Sequence, residues 1–251
     1  MKRAVISGGA GGLGRALSDG LQARGWHVVL LDRDISGVEI SEMQQAIQCD
    51  LTDPEQLTAA CAAAVGPNGV DLAIYNAGIT QIGLFADSDA ASHRQVFEIN
   101  YFAAVNMARA LLAPVRQARG AHLAISSVAG FAPLYSRTSY AASKHALEGF
   151  FKSLRSEERA HGVRVQIAAP SFVATNLGNA QAQPDGIARP GSATDGMDYM
   201  TPEAAAATIL HGLDRGRDMI PVGRVARLAW WINRLSPGLY QRLMERKIGR
   251  G

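Results

Sequence analysis

Tyr140 and Lys144 stand at an i, i+4 spacing near the end of the stretch SSVAGFAPLYSRTSYAASK, residues 126–144. A helix running from about Ser139 would stack the two side chains on one face. A free phenol titrates near about 10, too high for a base at neutral pH. An ammonium beside it favours the phenolate and lowers that value. Such a pair can take a proton from an alcohol or give one to a carbonyl. Ser126 or Ser127, just upstream, would hold the substrate oxygen. Many helices carry the same spacing as a solvated surface pair, so the chemistry depends on what else the chain brings to it.

The elements that would position this pair begin at the amino end. RAVIS, residues 3–7, is a short apolar run bounded by glycines, the pattern of a buried parallel strand. SGGAGGLGRAL follows, and Gly8, Gly12 and Gly14 give room for a tight turn before a helix that starts at about Leu13. Backbone N–H groups at such a helix start bind phosphate well. A glycine-rich connection without a ligand is the plainer alternative, but its place after the first strand favours a dinucleotide. The next strand, HVVLLDRD, ends at Asp32. A carboxylate there can accept hydrogen bonds from the adenosine ribose and would repel a 2′-phosphate. Arg15 and Arg33 could partly offset that repulsion. This favours NAD, with NADP the alternative.

Further along, QCDLTD follows a third short strand, and Asp50 is either within reach of an adenine edge or a turn or cap acid. Thr52 or Asp53 caps a helix running to Val65 with Pro54 at its first position. VDLAIY (70–75) is a fourth strand, followed by Asn76, Ala77 and Gly78, small enough to let the backbone approach a cofactor. Val96, Ile99, Val105, Ala108, Leu111 and Leu112 give the spacing of one helix over 89–112. Asn100 lies inside it, where a buried asparagine would break the local hydrogen-bond pattern and hold a water. HLAIS (122–126), VRVQIAAP (163–170) and MIPV (219–222) complete seven strands. Strands alternating with helices predict a parallel sheet covered on both faces, an α/β fold. Its ligand would bind beyond the carboxyl ends of the strands, where Asp32, Asp50, Asn76, Ser127 and Pro170 all fall.

Taken in order, these motifs resemble the short-chain dehydrogenase/reductase family over roughly residues 3–175, and more loosely beyond. Ser7-Gly8-x-x-x-Gly12-x-Gly14 is similar to the family's Thr-Gly-x-x-x-Gly-x-Gly, with serine for threonine. Tyr75-Asn76-Ala77-Gly78 is similar to its Asn-Asn-Ala-Gly, with tyrosine for the first asparagine. Asn100, Ser127, Tyr140 and Lys144 match its catalytic four, and the interval to Tyr140 selects Ser127 over Ser126. Pro170-Ser171 stands where the family has Pro-Gly, and Thr175 matches the threonine near the nicotinamide amide. The departures at Tyr75 and Ser171 touch backbone placement and leave the four catalytic side chains intact.

The resemblance implies a single-domain Rossmann-type, doubly wound parallel sheet of about seven strands, binding a nicotinamide cofactor. The cofactor set it implies is Ser7, Gly8, Gly12, Leu13, Gly14, Asp32, Arg33, Asp50, Leu51, Asn76, Ala77, Gly78, Tyr140, Lys144, Pro170, Val173 and Thr175. Tyr140 would carry the substrate proton, Lys144 would lower its pKa and bond the nicotinamide ribose, and Ser127 would hold the substrate oxygen. Asn100 would hold a relay water. Homodimers or homotetramers are expected on the same ground.

Composition agrees and excludes other classes. At 251 residues, 47% hydrophobic and 19% charged, the chain is long enough for one large α/β domain and too apolar for wholesale disorder. No apolar run approaches the roughly 20 residues of a membrane span, and the first glycines come too soon for a signal peptide. Cys49 and Cys61 form no metal spacing, and no metal is expected. Cytoplasmic residence is the default expectation. Residues 222–251 hold seven basic side chains against the acid Glu245, a net +6, which leaves −3 for residues 1–221. A nucleic-acid enzyme would more often be basic across its binding face, so no nucleic acid is expected.

The body is expected to span 1–223, with a substrate lid over 176–202 rich in Gly, Ala, Pro and Asp. Residues 224–251 are expected to form a basic amphipathic helical extension of the same domain. Val225, Leu228, Ala229, Ile232 and Leu235 fit its apolar stripe, and Pro237 breaks it before Leu239, Leu243 and Met244. The stripe is expected to pack on the body or a partner subunit, with peripheral contact to an anionic membrane the alternative. This ending resembles relatives that act on steroids, retinoids or lipids. The reading is therefore an NAD(H)-dependent oxidoreductase interconverting a secondary alcohol and a ketone on a hydrophobic substrate. Its rivals are an NADP(H) carbonyl reductase and a cofactor-binding sensor or scaffold with little turnover.

Overall fold

A computed structural model of the chain describes residues 1–175, 186–188 and 199–248. The elements run β1 (Arg3–Ser7), α1 (Gly12–Gln22), β2 (His27–Asp32), β3 (Gln44–Gln48), α2 (Pro54–Ala64), β4 (Leu72–Tyr75) and β5 (Thr80–Gln81). Then come α3 (Ala90–Phe97), a π-helical turn (Glu98–Phe102), α4 (Ala103–Ala118), β6 (Ala121–Ile125), α5 (Thr138–Glu158) and β7 (Arg164–Pro170). The rest are β8 (Ile187–Ala188), α6 (Pro202–Asp214), β9 (Met219–Val222), α7 (Arg224–Leu235) and α8 (Pro237–Ile248).

Among the described residues the main sheet has seven strands in the order β3-β2-β1-β4-β6-β7-β9, every pair parallel. The central strands are apolar because both of their faces are covered: β1, β2, β4 and β6 are buried over nearly their whole length. On one face α1 and α6 close a core around Ile6, Leu17, Leu30 and Ile209. On the other, α2, α4 and α5 close one around Val29, Leu57, Leu111 and Phe151. β3 lies at the edge, which suits its glutamine-rich sequence, QQAIQ. The strand order reverses between β1 and β4, opening a crevice at their carboxyl ends.

Local chemistry sets the boundaries. Asp53 caps α2 by accepting from the N–H groups of Glu55 and Gln56, and Pro54 supplies a preset first turn. Asp89 caps α3 through Ser92 N–H, and Thr201 caps α6 ahead of Pro202. The helix predicted over 89–112 is instead three segments, because the π turn at Glu98–Phe102 interrupts it and α4 continues to Ala118. The lid predicted over 176–202 falls mostly outside the described residues. Within them, Ile187–Ala188 pairs antiparallel with Thr80–Gln81, and residues 201–202 belong to the start of α6.

Where the family resemblance would have an asparagine, Tyr75 enters the core, its hydroxyl 2.6 Å from His122 Nδ1. His122 is fully buried and its Nε2 has no partner, so burial pulls its pKa down to about 4. The folded value lies below the unfolded one, so this group's contribution to stability is present above about 6.5 and is lost as the pH falls toward about 4. Urea denaturation should therefore find the protein about 2 kcal/mol less stable near pH 5 than near pH 7 from this group. A His122→Leu variant should lack that part of the slope. An identical slope in the variant would show that His122 is not the group responsible.

Candidate active site

The crevice is built from chain segments that meet only in the fold. At its floor β1 runs into the glycine turn. Gly8 has φ +63°, and a Cβ there would sit 2.8 Å from Ala77 Cα, so only glycine lets the turn lie against the end of β4. A Cβ on Gly14 would come within 2.4 Å of Gly8 O, so the start of α1 must pack directly on the turn. Gly11, the residue ahead of α1, offers no side chain to cap it, and the first turn carries no acid. The leading N–H groups of α1 are thus without a competing carboxylate, which suits a phosphate. Ser7 Oγ accepts from Asn76 and Ala77 N–H at 3.2 and 3.3 Å, and Asn76 Nδ2 donates to Gly8 O at 2.8 Å. The Asn76–Gly78 segment is thereby locked to the turn.

At the carboxyl end of β2, Asp32 Oδ2 accepts Ala10 N–H at 3.0 Å. Arg15 Nε donates to Ala10 O at 2.7 Å, and its guanidinium reaches Gly37. Arg33 is exposed next in line. Asp50 takes the turn role of its two readings: Oδ1 accepts both the N–H and the hydroxyl of Thr52, and these bonds hold its carboxyl below the usual range. Leu51 packs on the core under α2, Leu13 packs on the core beneath α1, and Val173 is buried there, so each has mainly its backbone to offer a cofactor. Thr175 lies against Gly12, at the far side of the same turn from Pro170, which ends β7.

The side chains expected to be catalytic come from three elements. Asn100 sits in the π turn, buried, with Oδ1 accepting Ile79 N–H at 2.8 Å and Nδ2 donating to Ile79 O and to Ser143 Oγ, both at 2.9 Å. Both amide hydrogens are used. The second lone pair of Oδ1 and the main chain of the wide turn are what is left to hold a water. Ser127 follows β6, where its Oγ accepts Ala129 N–H at 3.2 Å and its hydroxyl acts to lower the Tyr140 phenol, whereas the Ser126 hydroxyl turns inward to Glu148 Oε1 at 2.9 Å. The geometry thus distinguishes the two serines independently of any resemblance.

The sequence suggested that the Lys144 ammonium lowers the phenol. Burial pushes Tyr140 above its ordinary value, and the influences that lower it are the Ser127 hydroxyl and the charge of Arg137. Lys144 Nζ donates to Ile125 O at 2.9 Å and lies 5.9 Å from the Tyr140 ring centroid. Burial pulls Lys144 itself down to about 8, offset in part by Glu148 one helical turn on. Lys144 therefore keeps most of its positive charge at neutral pH, with Nζ over the Tyr140 ring.

Sequence reasoning missed Ser143 and Glu148. Both lie on α5 at helical intervals from Tyr140 and Lys144, which was the available signal. Their roles depend on partners in the π turn and β6 that no local pattern reveals. Gly130 marks the same spot: a Cβ there would meet Ser126 Oγ at 2.2 Å and Glu148 Oε1 at 2.5 Å.

Above the crevice, Gly83 N–H donates to Ser136 O, tying the loop after β5 to the segment before α5. Leu84, Phe85 and Tyr135 stand exposed on these two loops. Beyond Ser127, Val128 and Ala132 pack with Ala226 and Ala229 of α7. The tail therefore adjoins the site through part of the stripe the sequence suggested, Ala229, joined by Ala226. Ala226 and Ala229 face inward, and Asn233 Nδ2 donates to Phe131 O. Leu228 and Leu235 point to solvent.

Comparison with known proteins gives a consistent result. A family model described as short chain dehydrogenase matches residues 2–185. The chain is 33% identical over 262 residues to dehydrogenase/reductase SDR family member 7B of Bos taurus, covering 96% of this chain and 79% of that one. It is 28% identical over 274 residues to the putative oxidoreductase SadH of Mycobacterium tuberculosis H37Rv, covering 99% and 96%. Among solved structures, a short chain dehydrogenase from Burkholderia cenocepacia J2315 in complex with NADP superposes with a TM-score of 0.85 at 23% identity, covering 97% of this chain and 99% of that one. A short-chain dehydrogenase from Streptomyces avermitilis gives 0.80 at 24% identity, over 100% and 98%.

Proposed function

The chain belongs to the short-chain dehydrogenase/reductase family, and from that premise we propose that it is an NAD(H)-dependent oxidoreductase interconverting a hydrophobic secondary alcohol and its ketone. The observation that carries this reading is the convergence of Ser127, Tyr140, Lys144 and Asn100 beside the glycine turn of β1 and α1. Gly8 and Gly14 let the turn pack tightly against Ala77 and the start of α1, and the uncapped start of α1 would receive the phosphates of a dinucleotide. Asp32 would accept from the adenosine ribose, and Asn76–Gly78, Pro170 and Thr175 would flank the nicotinamide end. When bound, the nicotinamide supplies or accepts the hydride.

The chain's own residues handle the proton. In the oxidising direction Tyr140 takes the hydroxyl proton, and in the reducing direction its phenol gives one to the carbonyl oxygen. Ser127 donates to that same oxygen and orients it. Lys144, with a value pulled to about 8, holds positive charge near the proton path at neutral pH. Leu84, Phe85 and Tyr135, exposed above the crevice, favour an apolar substrate. Cytoplasmic residence and a homodimer or homotetramer are part of the same proposal.

The test is a titration of the purified protein with NADH and with NADPH, read by nicotinamide fluorescence. NADH should bind tighter, and Asp32→Ala should improve NADPH binding about tenfold or more by removing the repulsive carboxylate. No change in preference would overturn Asp32 as the selector. A second reading, an NADP(H) reductase, is favoured by one observation: the Arg15 guanidinium bonds the carbonyl of Ala10 in the glycine turn, the residue whose N–H Asp32 accepts. Tighter NADPH binding that Arg15→Ala removes would establish it.

A further inference from the structure

The helix pair α7–α8 carries two apolar faces, and the body uses only the smaller. Ala226 and Ala229 are buried against Val128 and Ala132, and Tyr240 of α8 packs on the same cluster. On the opposite side of α7, Leu228, Trp231 and Leu235 recur at helical spacing and are 63%, 55% and 77% exposed. Leu239 and Leu243 continue this exposed set on α8, one turn apart. Isolated exposed apolar residues need no explanation, but five large ones on one short helix pair do.

Charge selects the occupant. Arg224, Arg227 and Arg234 on α7 and Arg242 and Arg246 on α8 are all exposed, and Glu245 is the only acid in residues 222–251. A second copy docking face to face here would bring two net +6 segments together, at a cost in like-charge repulsion. An anionic surface with an apolar interior meets both requirements. Tryptophan suits the interface between headgroups and acyl chains. Among the described residues no helix is long and apolar enough to cross a membrane, so the pair would lie along the surface.

We infer that the outward face of α7–α8 docks this protein on an anionic lipid bilayer. Because α7 packs on the segment following Ser127, docking brings the site next to the lipid, where an apolar substrate is concentrated. The full-length protein should sediment with vesicles of phosphatidylcholine and phosphatidylglycerol, and not with phosphatidylcholine alone. Added salt should weaken the binding. The double variant Trp231→Ser/Leu235→Ser should lose about tenfold or more of the affinity. Its thermal melt should be unchanged, since these side chains support no core. Arg242→Gln/Arg246→Gln should weaken binding to anionic vesicles as well.

Three results would overturn the inference: wild-type protein left in the supernatant with both vesicles, equal binding to neutral vesicles, or concentration-dependent self-association that the double variant abolishes. Vesicle binding needs neither cofactor nor substrate, so its failure would leave the oxidoreductase reading standing.

Discussion

Replacing Tyr140 with phenylalanine should lower kcat by about a hundred- to ten-thousand-fold, the range that a lost general acid–base costs. The substitution keeps the ring and its place on α5 and removes only the phenol hydroxyl. Binding of the nicotinamide cofactor, followed by fluorescence, should be unchanged, because the glycine turn and Asp32 are untouched. Loss confined to kcat separates a proton-transfer role from a structural one. Undiminished turnover would refute the assignment. A fall in turnover accompanied by an equal loss of cofactor binding would mean that the phenol holds the cofactor and does not carry the proton.

The second large effect concerns the seat of the helix that carries Tyr140 and Lys144. Phe151 is fully buried on α5, with ring centroids 4.6 Å from Tyr75 and 5.1 Å from Phe150. Phe151→Ala should cost about 3–5 kcal/mol, combining the lost burial with the cavity left among rings that cannot close in. That is a large share of the roughly 5–15 kcal/mol that stabilises a typical domain. Urea denaturation should show a lowered midpoint with an unchanged slope. A loss below about 1 kcal/mol would mean that the neighbouring rings repack, and α5 would then be held chiefly elsewhere.

Much of this architecture was legible because buried parallel strands are apolar runs and their ends are marked by small or polar residues. RAVIS, HVVLLD and MIPV were found within a residue or so for that reason. The break at Asn100 was legible from a buried asparagine inside a helix, but its form as a π turn was not: Asn100 accepts from Ile79 N–H and donates to Ile79 O, partners remote in the chain. The pairing of Ser126 with Glu148 was hidden in the same way. The tail was read in part: the stripe Val225, Leu228, Ala229, Ile232 and Leu235 included the buried Ala229, but close packing of α7 on Val128 and Ala132 is completed by the small Ala226 and leaves Leu228 and Leu235 in solvent.

The strand order has a consequence for how the protein is made. β1 leaves the ribosome first but occupies the middle of the sheet, and its second neighbour, β4, arrives only with residues 72–75. Every pairing in the main sheet is parallel and must close a long loop before it is rewarded. No contiguous fragment holds the glycine turn, Asn100 and the Tyr140–Lys144 pair together unless it includes most of β1 through α5. Regain of activity on refolding should therefore lag behind regain of helix signal, and early species with unpaired strand edges are where aggregation would compete.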